Sequence, residues 1–209
     1  MTGYRQNEEY RIQARLLRKC PNLLMCAELF VYNNCPQNKI EDACKDIPIP
    51  IRIHNTDKNA GYRLGGVEAM EFLLTAIDLS IYDYVIHLHP DVFFINETPL
   101  MELFEEEKDT TRVFLVSKPV PKDDRFYGFD FFVFKPRLLK TQIFTNWTNW
   151  KYPPEYFLHD RIIENNLPHR IFDRYDPKVL NNTREIDLFG LWHEHDLNKV
   201  NLYLLAQKL

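Results

Sequence analysis

The sequence contains no run of about 18 apolar residues, no charged and apolar leader, and no cluster of basic residues. The first absence excludes a membrane-spanning helix, and the second makes the cytoplasm the expected compartment. The third argues against nucleic acid as the partner, because affinity for a phosphate backbone needs a concentrated basic face. Here 26 Lys and Arg are interspersed with 30 Asp and Glu, for a net charge of −4. The four cysteines, Cys20, Cys26, Cys35 and Cys44, include no Cys-x-x-Cys pair. Their spacings do not fit a zinc knuckle, and without export buried free thiols are expected. Repeats, low-complexity tracts and linkers are absent too, so residues 1–209 are expected to form a single domain.

What is present is ordinary for a globular protein, with 45% hydrophobic and 27% charged residues. Residues 5–19 carry apolar positions at helical spacing, up to the break at Cys20-Pro21-Asn22. Leu23 to Tyr32 reads as a buried strand, Pro48 to His54 as a second, and Tyr84 to His89 as a third stopped by Pro90. A helix is expected between the second and third, with Leu64, Val67, Met70, Leu74 and Ile77 on one side. Further strands are expected at Arg112–Ser117, Phe129–Phe134, Arg170–Phe172 and Ile186–Leu191, and a helix at Glu155–Asn165. Alternating strands and helices predict an α/β fold with a mainly parallel central sheet flanked by helices.

Ligands of such sheets bind beyond the carboxyl ends of the strands, and here those ends are polar. His87 and His89 share one strand face, while Pro90 frees Asp91 to turn into the cleft. A second His/Asp group, His193-Glu194-His195-Asp196, lies near the C-terminus. Two separated groups of this kind are what a metal site assembled from distant segments needs, and imidazole with carboxylate suits Mn²⁺ better than Mg²⁺. Asn59-Ala60-Gly61-Tyr62-Arg63-Leu64-Gly65-Gly66 forms a glycine-bearing loop running into a helix, where helix amides and Arg63 favour a phosphate. No Gly-Lys-Ser/Thr follows, so this is not a phosphate-binding P-loop.

Taken in order, these motifs resemble the GT-A class of nucleotide-sugar glycosyltransferases, a Rossmann-like fold. "ELFVYNN" resembles the strand that ends at the nucleoside pocket, "NAGYRLGGVEA" the loop and helix beneath the donor, and "YDYVIHLHPDVFF" the Asp-x-Asp strand. His89 falls on the first Asp of that motif and Asp91 on the second. "GFDFFVFKP" resembles the strand lining the acceptor, "PPEYFLHD" the acidic helix start, and "GLWHEHD" the late histidine segment. Among small examples the chain is most similar to glycosyltransferase domains encoded by viruses of chlorella-type algae, which act on a capsid protein. The first strand of the class, ahead of Thr2-Gly3-Tyr4, is almost missing.

The resemblance implies a UDP-sugar donor, Mn²⁺ (or Mg²⁺) as cofactor, and a glycan or glycoprotein acceptor. It implies metal ligation by His89, Asp91, His193 and His195, and donor contacts from Thr2, Gly3, Tyr4, Asn33, Asn34, Asn59, Arg63 and Gly66. Tyr4 offers an aromatic face, and Asn33 and Asn34 offer amides able to pair with a pyrimidine edge. An inverting enzyme needs a base for the acceptor hydroxyl, and Asp130, Glu155 and Asp160 are the candidates. Two rivals are a metal-dependent hydrolase, since His87-Leu88-His89-Pro90-Asp91 fits His-x-His-x-Asp, and a non-catalytic nucleotide-sugar-binding module.

Overall fold

The computed structural model describes residues 2–3, 6–59, 61, 64–118, 123–139, 142–172 and 189–208. The expected contributions of Tyr4, Arg63 and the first half of the 186–191 strand therefore lie outside the described residues.

A short parallel sheet is built from β1 (Thr2–Gly3), β2 (Leu29–Asn33) and β3 (Ile51–Asn55). A second sheet has the order β4 (Val85–Leu88), β7 (Phe131–Phe134), β6 (Phe114–Ser117), β8 (His169–Phe172). The pair β6–β8 is parallel, whereas β7 runs antiparallel to both neighbours, so the α/β class holds and the second sheet is mixed. A ribbon of β5 (Val92–Phe94) and β9 (Leu191–His193) completes the strands among the described residues.

The helices are α1 (Asn7–Leu17), α2 (Pro21–Cys26), α3 (Glu41–Cys44), α4 (Gly65–Ala76), α5 (Thr98–Glu107), α6 (Pro154–Glu164) and α7 (Leu197–Ala206). None is long and apolar enough to cross a membrane. The apolar run from Leu23 is not one strand. Pro21 sits in the first turn of α2, where its missing N–H costs nothing. The buried Glu97 carboxylate accepts from the amides of Asn22 and Leu23 at 2.9 Å each, so a remote carboxylate caps the helix. Only from Leu29 does the chain become β2.

Two apolar clusters fill the interior, one under α1, α2 and α5 and the other an aromatic stack of Phe114, Phe132, Phe134, Phe144 and Phe157. A third cluster, with Ile12, Leu16, Phe93, Trp192, Val200 and Leu204, clamps the β5–β9 ribbon between α1 and α7. Cys20, Cys35 and Cys44 are buried free thiols as expected, while Cys26 is exposed.

Candidate metal centre

Pro90 stops β4, and the amide of Val92 returns to the His89 carbonyl at 3.1 Å, leaving Asp91 at the tip of a tight turn. β5 then pairs with β9, placing Val92 opposite His193, and the Glu194 amide donates to the Asp91 carbonyl at 3.1 Å. The entry to β9 depends on Gly190, whose φ is +72°. A Cβ there would lie 2.0 Å from the Asn96 carbonyl oxygen, so glycine is required by both torsion and space. Two segments a hundred residues apart are thereby pinned side by side.

Side chains converge where they meet. Asp91, His193 and His195 each present a ligating atom, all within 4.8 Å of one another. His195 Nδ1 lies 2.8 Å from Asp91 Oδ2, His193 Nε2 lies 3.6 Å from the same oxygen, and His193 Nδ1 lies 3.1 Å from Asp130 Oδ2. Asp91 is buried, His193 half-buried and His195 exposed, so the cluster sits at the rim of the core with one open side. Asp91 Oδ1 and His193 Nε2 are buried without a hydrogen-bond partner among the described residues. A buried polar atom left unmet costs free energy, and both of these atoms are of the kind that a divalent cation can satisfy.

Charge is arranged to match. Burial alone would lower the His193 pKa, but the neighbouring carboxylates of Asp130 and Asp91 more than reverse this and raise it to about 9. Burial pushes Asp91 up, and the neighbouring His193, His89 and His195 hold it below its ordinary value. His89 is half-buried beside Asp130 and Asp91, its pKa lowered by burial, and its amide donates to the Asp130 carbonyl at 2.9 Å. It lies outside the group of three. His87 is buried against Phe129 and Phe132, with ring centroids 4.9 and 4.7 Å away, and it is not one of the three residues whose ligating atoms meet.

The other expected residues take distinct places. Glu155 sits half-buried in the first turn of α6, its pKa raised by burial and by the charge of Asp130. Asp160 is tied to Arg125 at 2.7 Å and to His159 at 2.8 Å. Asn33 is buried at the end of β2, its amide nitrogen donating to the Asn38 carbonyl at 2.7 Å and to Asn55 Oδ1 at 2.8 Å. Its oxygen accepts from the Cys35 amide, so as placed it braces the loop. Asn34 packs against the start of α4, where a Cβ on Gly65 would fall 2.0 Å from its Nδ2. Gly66 faces Phe129 in the same close manner, and Asn59 accepts from the Gly61 amide at 2.7 Å in a local turn. Thr2 and Gly3 form β1, beside Tyr32 and Asn33.

One neighbour had no sequence signal. Glu9 on α1 is half-buried, with its pKa raised by burial and by the charge of Asp91. On paper it belongs to the polar face of an amphipathic helix, and only the packing of α1 on the β5–β9 ribbon brings it near the cluster.

No family model matches the sequence, and no curated protein matches it either. Solved structures do share its fold. A mannosyltransferase from Pyrobaculum calidifontis, in complex with GDP-Man and Mn²⁺, has a TM-score of 0.52 at 9% identity over 82% of this chain. The chain spans about half of that enzyme, 53% of its length. Apo mouse xyloside xylosyltransferase 1 has a TM-score of 0.52 at 13% identity, with 94% of this chain and 97% of that one covered. CMP:2-keto-3-deoxy-manno-octonic acid synthetase, complexed with CTP, has a TM-score of 0.53 at 13% identity, with 95% and 88% covered. At these identities the likeness is one of fold, and that fold is GT-A-like and Rossmann-type.

Proposed function

We propose that residues 1–209 act as one glycosyltransferase domain that takes a sugar from a nucleoside-diphosphate donor, UDP by our reading, and passes it to a glycan or glycoprotein. The observation that carries this reading is the convergence of Asp91, His193 and His195 just past the end of β4 in a GT-A-like fold. The donor set fits a divalent cation. It has one carboxylate and two imidazoles, two of its buried atoms lack partners, and its nitrogen content favours Mn²⁺ over Mg²⁺. Such an ion offsets the charge that builds on a diphosphate as the sugar departs.

The residues of the chain divide the remaining work. Asp91, His193 and His195 hold the cation, and Asp130 orients His193 through its Nδ1, as outer carboxylates do for ligating imidazoles. Glu155 is the preferred base toward the acceptor hydroxyl, because a raised pKa keeps it closer to the working pH. Asp160, neutralised by Arg125, holds α6 to the loop carrying that arginine. The packing of His87 between phenylalanines counts against the hydrolase reading, which needs its imidazole beside Asp91.

Calorimetric titration with UDP, GDP, CDP and ADP, with and without Mn²⁺, tests the proposal. Mn²⁺-dependent binding of UDP is expected. GDP binding tenfold tighter than UDP, a difference of about 1.4 kcal/mol, overturns the uridine assignment, and metal-independent binding of all four overturns the site. Release of pyrophosphate from a nucleoside triphosphate and a free sugar acid, in place of transfer, would move the chain to the chemistry named for its CTP-bound fold neighbour.

A further inference from the structure

Between the two sheets lies an apolar cavity of about 350 Å³, walled by Leu29 of β2, Val85 and Ile86 of β4, and Leu73 of α4. None of Asp91, His193 and His195 lines it, so it is a different site from the metal centre. One end reaches solvent at Ile81, which is 66% exposed, and the other is closed by the buried side chains of Leu88 and Phe94. Protein interiors are packed as densely as organic crystals, and cavities larger than a water molecule are few. Leu29, Leu73, Val85 and Ile86 stay half-buried beside this one, and their remaining apolar surface favours an apolar guest that takes it out of water.

The lining is not apolar throughout. His87, next to Leu88, is only 4% exposed, and its Nε2 has no hydrogen-bond partner among the described residues. Burial pushes its pKa well down, so the ring is neutral, and it donates a hydrogen bond to the Phe129 backbone. Nε2 does not make that bond, so the proton sits on Nδ1 and Nε2 is left as an acceptor. Other polar side chains of the lining are met by neighbours. Tyr84 donates to the Phe104 carbonyl at 2.7 Å, Asp83 pairs with Arg137 at 3.0 Å, and Tyr82 and Arg52 both reach Glu28. A buried acceptor left unmet is costly, and what satisfies it is an O–H or N–H donor.

We propose that this cavity binds a small neutral molecule, about two fused rings in size, whose apolar body fills the space between the sheets and whose single hydroxyl donates to His87 Nε2. The size follows from the volume. An apolar cavity of about 150 Å³ holds benzene, and this one, at about 350 Å³, has roughly twice that room. Neutrality follows from the closed end, where Leu88, Phe94 and a neutral imidazole offer an ion neither water nor an opposite charge. A single hydroxyl follows from the single unmet acceptor, because a second donor carried to that depth would itself go without a partner. Apolar walls with one placed polar group are the usual make-up of a small-molecule pocket.

The test titrates the 209-residue protein, without metal, with 2-naphthol, 2-methoxynaphthalene and naphthalene. The three probes share one ring system, and only the first can donate a hydrogen bond. 2-Naphthol is expected to bind a single site roughly tenfold or more tighter than the other two, and to shift the His87 Nε2 nitrogen resonance as that atom accepts the bond. His87→Leu, which keeps apolar bulk and removes the acceptor, should bring 2-naphthol down to the affinity of naphthalene. Leu73→Trp, which fills the cavity from α4, should abolish binding of all three. Equal affinities for the three probes overturn the proposal, as do an unmoved His87 resonance and the absence of saturable binding by 2-naphthol. The comparison of probes is made on the unsubstituted chain, so it decides the matter even where a variant does not fold.

Discussion

Glu107 and Asp91 are both buried carboxylates, and they are treated in opposite ways. Glu107 is wholly inaccessible and fully met by its neighbours. Arg112 and Arg170 donate to one oxygen at 2.8 and 2.7 Å, and Thr110 donates to the other at 2.8 Å. Its helix end is closed by Lys135, whose ammonium donates to the carbonyls of Glu107 and Thr110. Asp91 has imidazoles for partners, one oxygen with none among the described residues, and a side open to water. Guanidinium keeps its proton at any working pH, whereas imidazolium can give its proton up. A buried carboxylate held by permanent cations serves the scaffold. One held by groups that can exchange a proton for a metal fits the cation site proposed above.

The contrast is sharpest under substitution. Asp91→Ala is expected to lower Mn²⁺-dependent transfer by roughly a thousandfold, the several kcal/mol a cation supplies at a leaving group, with little loss of Tm. Turnover and melting measured on one preparation decide it, and full Mn²⁺-dependent activity in this variant would break the comparison. Glu107→Ala should do the reverse. Removing one partner of a buried ion pair costs about 3–5 kcal/mol, and the low end is expected because Arg112 and Arg170 retain contact with water. Denaturant unfolding should show that loss while Mn²⁺ affinity of the folded fraction is unchanged.

How far the sequence could reveal these two sites depends on how local each signal was. Asp91 was legible because Pro90 must end a strand and the next carboxylate must leave the ladder. The late histidines were legible as a second ligand-rich group, but that they meet Asp91 while His89 stays outside the trio depends on the β5–β9 pairing, and the short β5 had no periodicity to detect. Glu107 carried no signal, since its partners lie 5 and 63 positions away. The same holds for Glu97, whose capping of α2 turned half of an apparent strand into helix. Asn33 was visible as a polar strand end, yet polarity there does not separate an amide that faces a ligand from one that braces a loop.

Proton exchange separates the two carboxylates as well. Burial alone would raise the Glu107 pKa, but Arg170, Thr110 and Arg112 hold it below its ordinary 4.5. Its contribution to stability is therefore present above pH 4.5 and is lost as the pH falls through the lower folded value. The raised His193 contributes in the other direction: its stabilisation of the metal-free protein is complete below 6.5 and is lost as the pH rises through about 9. A bound cation needs the neutral imidazole, so apparent Mn²⁺ affinity should rise about tenfold per pH unit between pH 6.5 and 8.5, with one proton released per ion. Calorimetry in two buffers of different ionisation enthalpy counts that proton. A flat profile would mean that His193 is not displaced by the metal.

The smallest effect is expected at His89, and it tests where the boundary of the site lies. His89 carries the position that the resemblance gives to a carboxylate, yet it lies outside the trio and reaches the cluster through its backbone, its amide on the Asp130 carbonyl. Burial depresses its pKa, so it is neutral at pH 7 and adds no formal charge to a cation site. His89→Ala removes a neighbouring imidazole and leaves Asp91, His193 and His195 in place, and a group outside the ligand set costs about tenfold in metal affinity. His89→Gln, which restores a polar side chain of similar reach, should recover part of that loss. A deficit as large as that of Asp91→Ala, unrelieved by Gln, would bring His89 inside the ligand set and place the cation nearer β4 than the trio does.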